Sequence, residues 1–189
     1  MLLSSLKDNH PSLVADIIDT LLEELRVCFE KNDFNDNQHK IHICLIFAYM
    51  YVNNIIDSYI LFEILYMIIT YNPEWESGRR EIVADNMLDS PRDTVRIIMV
   101  VTILENGGTQ IKERNEKQNL ERFIHFFQIY ILSKVYIIII KYYIPLDTEN
   151  LILNCLENLF PNIKIYNDFN NALKDTKNYK GVFKLLIIV

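Results

Sequence analysis

The sequence predicts an all-α fold built of stacked antiparallel helix pairs, a HEAT-like α-solenoid. Three observations carry that expectation. Apolar residues recur at spacings of three and four in segment after segment, the signature of one face of a helix. Only four residues are Gly and five are Pro, too few special turn residues for a turn-rich β fold. The chain has 189 residues, half of them hydrophobic, enough for one domain with a sizeable core. That domain is expected to span 1–189, with 1–12 as a lead-in and 181–189 as an apolar tail that docks on the last helix or is a cut end.

Pro11 suits a first helical turn, with Ser12 as a cap candidate. Leu13, Ile17, Ile18, Leu21, Leu22, Leu25 and Phe29 then form a clean stripe, with Asp16, Asp19, Glu23, Glu24 and Glu30 largely opposite. Lys31 to Asn37 is a polar loop, and Asp36 or Asn37 caps the next helix. That helix, Gln38 to Val52, is apolar on almost every side and is therefore placed centrally. Asn53-Asn54 breaks it. Asp57 or Ser58 starts a partner helix to about Tyr71, and so short a connection makes the two antiparallel neighbours.

From Asn72 to Pro91 the periodicity lapses into a long loop, with a helical turn at Arg80 to Asp85. The next helix starts near Arg92, and Asn106-Gly107-Gly108 is expected to stop it. Lys112 to Asn119 is a charged approach to an inner helix, Gln118 to Lys134, which ends there or continues through Ile140. Leu120, Phe123, Ile124, Phe127, Tyr130 and Ile131 mark it as an inner element. After a break at Pro145, Asp147 or Thr148 caps a helix ending before Pro161, and a short helix runs from Asp168 to about Lys177.

A net charge of −6 disfavours a free-standing nucleic-acid binder and suits a basic protein partner. Cys28, Cys44 and Cys155 are odd in number, far apart and in apolar helical contexts, which reads as buried thiols of a reducing, cytoplasmic compartment. The uncharged run Ile41 to Ile56 falls short of the roughly 20 residues a spanning helix needs. The run Phe126 to Ile144 is broken by Lys134 and Lys141, so no membrane segment is expected. His39, His42 and Cys44 are the close group of potential metal ligands, but no fourth ligand lies near in sequence. Ordinary packing explains them, and no cofactor is expected. Phosphate-loop and nucleophile-elbow patterns do not occur. Among the acids on or beside helices are Glu23, Glu24, Asp57, Glu63, Glu105 and Glu121; Asp57 also has a local duty as a helix cap.

Asn119-Leu120-Glu121-Arg122-Phe123 followed by Phe127-Gln128-Ile129-Tyr130 resembles a motif in the third "middle domain of initiation factor 4G" repeat of the up-frameshift factor-two proteins. Leu22 to Arg26, Phe34 to Gln38, Tyr51 to Tyr66, Arg96 to Gly108 and Pro145 to Lys164 resemble that domain in the same order. The resemblance implies a non-catalytic scaffold of nonsense-mediated mRNA decay. It also implies that the domain binds the RNA-recognition-type domain of the up-frameshift factor-three partner through an acidic helical surface, touching RNA only indirectly. Asp57 matches an acidic position of the hairpin, and Glu121 matches the acidic residue of the inner helix; both are the implied partner-binding residues. Where the family has a further acid, eight positions before Asp57, this chain has Tyr49. Two rivals are a related helical scaffold of translation initiation that binds a helicase, and a helical metalloenzyme using His39 or His42.

Overall fold

The computed structural model describes residue 7 and residues 9–72, 81–83, 88–137, 144–175 and 186–188. Its helices are α1 (Pro11–Lys31), α2 (Asn37–Val52), α3 (Ser58–Thr70), α4 (Val95–Glu113), α5 (Lys117–Ile137), α6 (Leu146–Leu159) and α7 (Phe169–Asp175). They stack in two layers. Helix α2 packs on α4 and α4 on α6, while α3 packs on α5 and α5 on α7. Helix α1 closes one end against α2. The all-α solenoid expected from the periodicity is the fold.

Each helix end has a local cause. Pro11 is the first residue of α1, and His10, not Ser12, holds the cap position without a side-chain bond. Asn32 ends α1 in the left-handed region at φ 47°, a conformation Asn tolerates better than most residues. A single 3-10 turn at Phe34–Asp36 follows, capped by the Asp33 side chain. Lys40 is buried, and its ammonium donates to Asp33 O at 3.3 Å and Asn37 Oδ1 at 3.1 Å, which ties this turn to α2. Helix α2 is apolar all round because α1, α3 and α4 all pack on it, α4 most extensively.

Two expectations are corrected at α4. The helix begins at Val95, after a turn in which Asp93 Oδ1 accepts from Val95 N at 2.9 Å. It also runs straight through Gly107 and Gly108, both buried, and ends only at Glu113, with Asn115 at φ 63° making the turn. The glycines serve proximity, not termination. A Cβ on Gly108 would lie 2.4 Å from Leu159 Cδ2 of α6. The missing side chain therefore lets two helices of one layer approach closely.

The segment leading into α4 is held by a buried charge network. Asp89 accepts Lys134 Nζ at 2.6 Å and the Tyr130 hydroxyl at 2.8 Å. Arg96 Nε lies 3.7 Å from the same carboxylate, and its guanidinium donates to the carbonyls of Ile68, Tyr71 and Leu88. Lys134 also donates to Ser90 O and Asp93 O. The Arg96 guanidinium sits 4.9 Å from the Phe29 ring centroid, so this network touches α1, α3, α4 and α5.

The loop after α3 contains a strand, β1 (Glu81–Val83), where a helical turn was expected. It pairs in parallel with β2 (Leu186–Ile188), Ile82 opposite Ile187. Residues 186–188 of the apolar tail thus contribute a strand. A β-branched Ile-rich run suits this better than a helix. The stretch of α5 expected beyond residue 137, Lys177 and the rest of the tail lie outside the described residues. Among the described residues no helix is long and apolar enough to cross a membrane.

Candidate partner-binding surface

Helices α2 and α3 meet at a tight corner. Asn53 and Asn54 leave α2, Asn54 turning the chain at φ 60°, and Ile55 and Ile56 drop into the core. This forces Asp57 back to the surface in extended conformation, where Oδ1 accepts from Ile60 N at 2.9 Å. Asp57 is therefore the N-cap of α3, and its carboxylate is exposed. One oxygen is used by the cap, and a carboxylate has acceptor capacity to spare. The corner is braced from behind. Arg114 lies 4.2 Å from the Tyr51 ring and donates to Tyr51 O at 3.0 Å, while Tyr51 OH meets Ser58 Oγ at 3.2 Å. Lys7 donates to the Asn54 carbonyl.

Beside Asp57 a groove of about 320 Å³ opens between α3 and the start of α5. Its α3 wall carries Ser58, Tyr59, Phe62, Glu63 and Tyr66, one helical face at spacings of three and four. Glu116, Asn119 and Arg122 form the other wall. Tyr66 packs edge-on to Phe123 at 5.1 Å, which makes the floor continuous with the core. Burial pushes the Tyr66 phenol up to about 12, against the Arg122 guanidinium, which pulls it down. Tyr59 is 69% exposed at the rim. The groove offers carboxylates, a guanidinium and aromatic faces, which is equipment for holding another molecule's side chains.

Glu121 lies elsewhere. It is half-buried, pairs with Lys117 at 3.8 Å, and lines a second cleft of about 360 Å³ with His125, Gln128 and the 160–166 segment. Gln128 fastens that segment at both ends of its amide, donating to Lys164 O and accepting from Tyr166 N. His125 is packed edge-on to Tyr166, and burial lowers its pKa, with Asp175 opposing and Lys164 reinforcing the shift. The fold does not bring Asp57 and Glu121 into one cleft.

The other candidates separate too. His39 meets Glu24 at 3.0 Å, His42 meets Gln38 at 3.2 Å, and Cys44 is fully buried. Among the described residues no group of three or more His, Cys, Asp or Glu side chains is placed to hold a metal. Cys28 and Cys155 are buried as well, and burial pushes the Cys155 thiol up to about 12. Glu23 pairs with Arg26 at 3.7 Å across an exposed helical turn. Sequence reasoning missed the Tyr59–Phe62–Tyr66 face, on which exposed Tyr59 stands at the rim and the buried Phe62 and Tyr66 lie below it. Its three- and four-residue spacing was visible, but its facing wall comes from residues far along the chain.

Residues 1–162 match the MIF4G domain. The chain belongs to the MIF4G domain family. Across 171 residues it is 31% identical to the Regulator of nonsense transcripts UPF2 of Arabidopsis thaliana, covering 90% of this chain and 13% of that protein. It is 26% identical, also over 171 residues, to the Regulator of nonsense transcripts 2 of Mus musculus and of Homo sapiens, covering 88% of this chain and 13% of each. The chain thus spans 13% of the length of these relatives. For a MIF4G domain, the two-layer stack α2–α4–α6 over α3–α5–α7 is the scaffold on which both clefts sit.

Proposed function

We propose that this MIF4G domain is a non-catalytic, cytoplasmic scaffold of nonsense-mediated mRNA decay. Its α2–α3 corner docks the RNA-recognition-type domain of the up-frameshift factor-three partner, and RNA is reached only through that partner. Other decay factors are contacted through regions beyond this chain. The observation that carries the reading is the 31% identity to a protein named as a regulator of nonsense transcripts, running along 90% of the chain. The exposed carboxylate of Asp57 on a chain of net charge −6 supports a basic partner.

Titration calorimetry of this chain against that partner domain, at two salt concentrations, tests the proposal. One-to-one binding that weakens with salt is expected. Asp57→Asn keeps a cap acceptor and removes the charge, and Asp57→Lys reverses it, so the two separate capping from contact. Affinity should fall for both, by about tenfold or more for the reversal. No binding at either salt, with the helical circular dichroism intact, refutes the reading. Glu121, in its own cleft, is proposed as a separate contact; unchanged affinity in Glu121→Gln would confine it to pairing with Lys117.

A further inference from the structure

We infer that Ser90 is a phosphorylation site for a proline-directed protein kinase, and that its phosphate loosens the buried Asp89–Lys134 network beneath it. The inference is independent of which partner the α2–α3 corner docks.

Of the five prolines, only Pro91 follows a hydroxyl residue. Ser90 is exposed and stands in the segment between β1 and α4. A proline after the acceptor removes a backbone N–H and biases the acceptor towards an extended conformation, two features that a proline-directed kinase reads. The third residue after Ser90 is Asp93. Kinases that read a cation at that position are disfavoured, and the mitogen-activated class, which reads the proline alone, fits best. The step is an ordinary phosphoryl transfer. Ser90 Oγ attacks the γ-phosphorus of ATP, the bond to the β-phosphate oxygen breaks, ADP leaves, and the hydroxyl proton passes to the kinase.

The backbone of Ser90 is tied to the interior. Its carbonyl accepts from Lys134 Nζ at 3.0 Å and from Asp93 N at 2.8 Å, and its Oγ accepts from Arg92 N at 3.4 Å. The same ammonium holds Asp89, the preceding residue, at 2.6 Å. A kinase takes its substrate segment extended, so this turn must open first, and opening detaches Ser90 from Lys134. Phosphorylation then follows the population of the opened turn. Once transferred, the phosphate places about two negative charges between Asp89 and Asp93 in the chain. It repels both carboxylates and competes with Asp89 for the Lys134 ammonium. Arg92 offers a counter-charge, but it is exposed, where an ion pair contributes little, whereas Asp89 and Lys134 are 5% and 4% exposed. The closed turn is therefore the state that phosphorylation weakens.

The test incubates the folded whole chain with ATP and an active mitogen-activated protein kinase, and locates the product by mass spectrometry of its peptides. One phosphoryl group on Ser90 is expected, and Ser90→Ala or Pro91→Ala should abolish it. Tyr130→Phe removes a donor to Asp89 and leaves the sequence around Ser90 unchanged, so it should speed the transfer severalfold. The phosphorylated chain should melt at least about 2 °C below the unmodified one. Ser90→Ala, at an exposed position, should melt within about 1 °C of it.

No transfer to the folded chain, or transfer to Ser90 that survives Pro91→Ala undiminished, overturns the site. A phosphorylated chain that melts with the unmodified one, or an unchanged rate in a folded Tyr130→Phe, overturns its link to the network. The melting comparison needs no variant, so it decides the link even if Tyr130→Phe does not fold.

Discussion

Replacing Asp89 by Ala should be among the most damaging single changes in this protein. The carboxylate and the Lys134 ammonium are 5% and 4% exposed, so neither can turn to water when its partner is lost. Breaking a buried pair by removing one member costs about 3–5 kcal/mol. Tyr130 would also lose the acceptor of its buried hydroxyl, a further penalty of roughly 1–3 kcal/mol. The two do not add fully, because Lys134 keeps its bonds to Ser90 O and Asp93 O and both losses share one site. The expected loss is about 4 kcal/mol, or roughly 8–16 °C in Tm for a domain of this size. Urea unfolding followed by circular dichroism measures it. Asp89→Asn, which keeps an oxygen for Tyr130, should lose less. The double change Asp89→Leu with Lys134→Met should recover only part of the deficit, since burial already lowers the lysine pKa and so opposes its charge, while Arg96 is still left without its carboxylate and Tyr130 without its acceptor. A loss below about 1 kcal/mol for Asp89→Ala, or no recovery in the double variant, would refute the reasoning.

Adjacent glycines should respond differently. Gly107→Ala places a Cβ at 3.7 Å from Tyr51 Cδ1, an ordinary contact, so helix propensity should stabilise it by about 1 kcal/mol. Gly108→Ala meets three side-chain atoms of the buried Leu159 within 3.4 Å, so repacking should cancel that gain or exceed it. Equal Tm changes for the two would show that α4 and α6 do not approach as described. His125 should make stability depend on pH. Its folded pKa lies below the ordinary 6.5, so its contribution is complete above about that pH and declines as pH falls towards the depressed folded value. His125→Phe should remove that part of the slope between pH 7.5 and 5.5, measured by urea unfolding; an unchanged slope would place the titration elsewhere.

Periodicity made the helices legible because burial in a two-layer stack demands it. The stripe of α5 mapped directly onto packing, whereas Leu13 on the α1 stripe and Ile46 and Tyr49 on the apolar α2 stand exposed. Gly107-Gly108 misled because glycine serves two ends, left-handed turns and close approach, and only Leu159, distant in sequence, distinguishes them. The strand at Glu81–Val83 was hidden for the same reason, since its partner is Leu186–Ile188. Asp57 could be read as a cap locally, from its place before an apolar helix. The groove beside it could not, because Glu116 and Arg122 join Tyr59 only through folding. Asp89, Arg96 and Lys134 likewise lie far apart in sequence, in a loop, near a helix start and near a helix end, and only the fold brings them together.

That triad also has a consequence for how the sequence can drift. Each member is tolerable in the interior only while the others are present. A lineage that loses the carboxylate first passes through a form weakened by a large share of the roughly 5–15 kcal/mol that keeps a domain folded. Neutral exchange at position 89 is therefore blocked until position 134 has changed. The three sites should behave as one inherited character, kept or replaced together, while the paired charges on the outer face of α1 substitute independently.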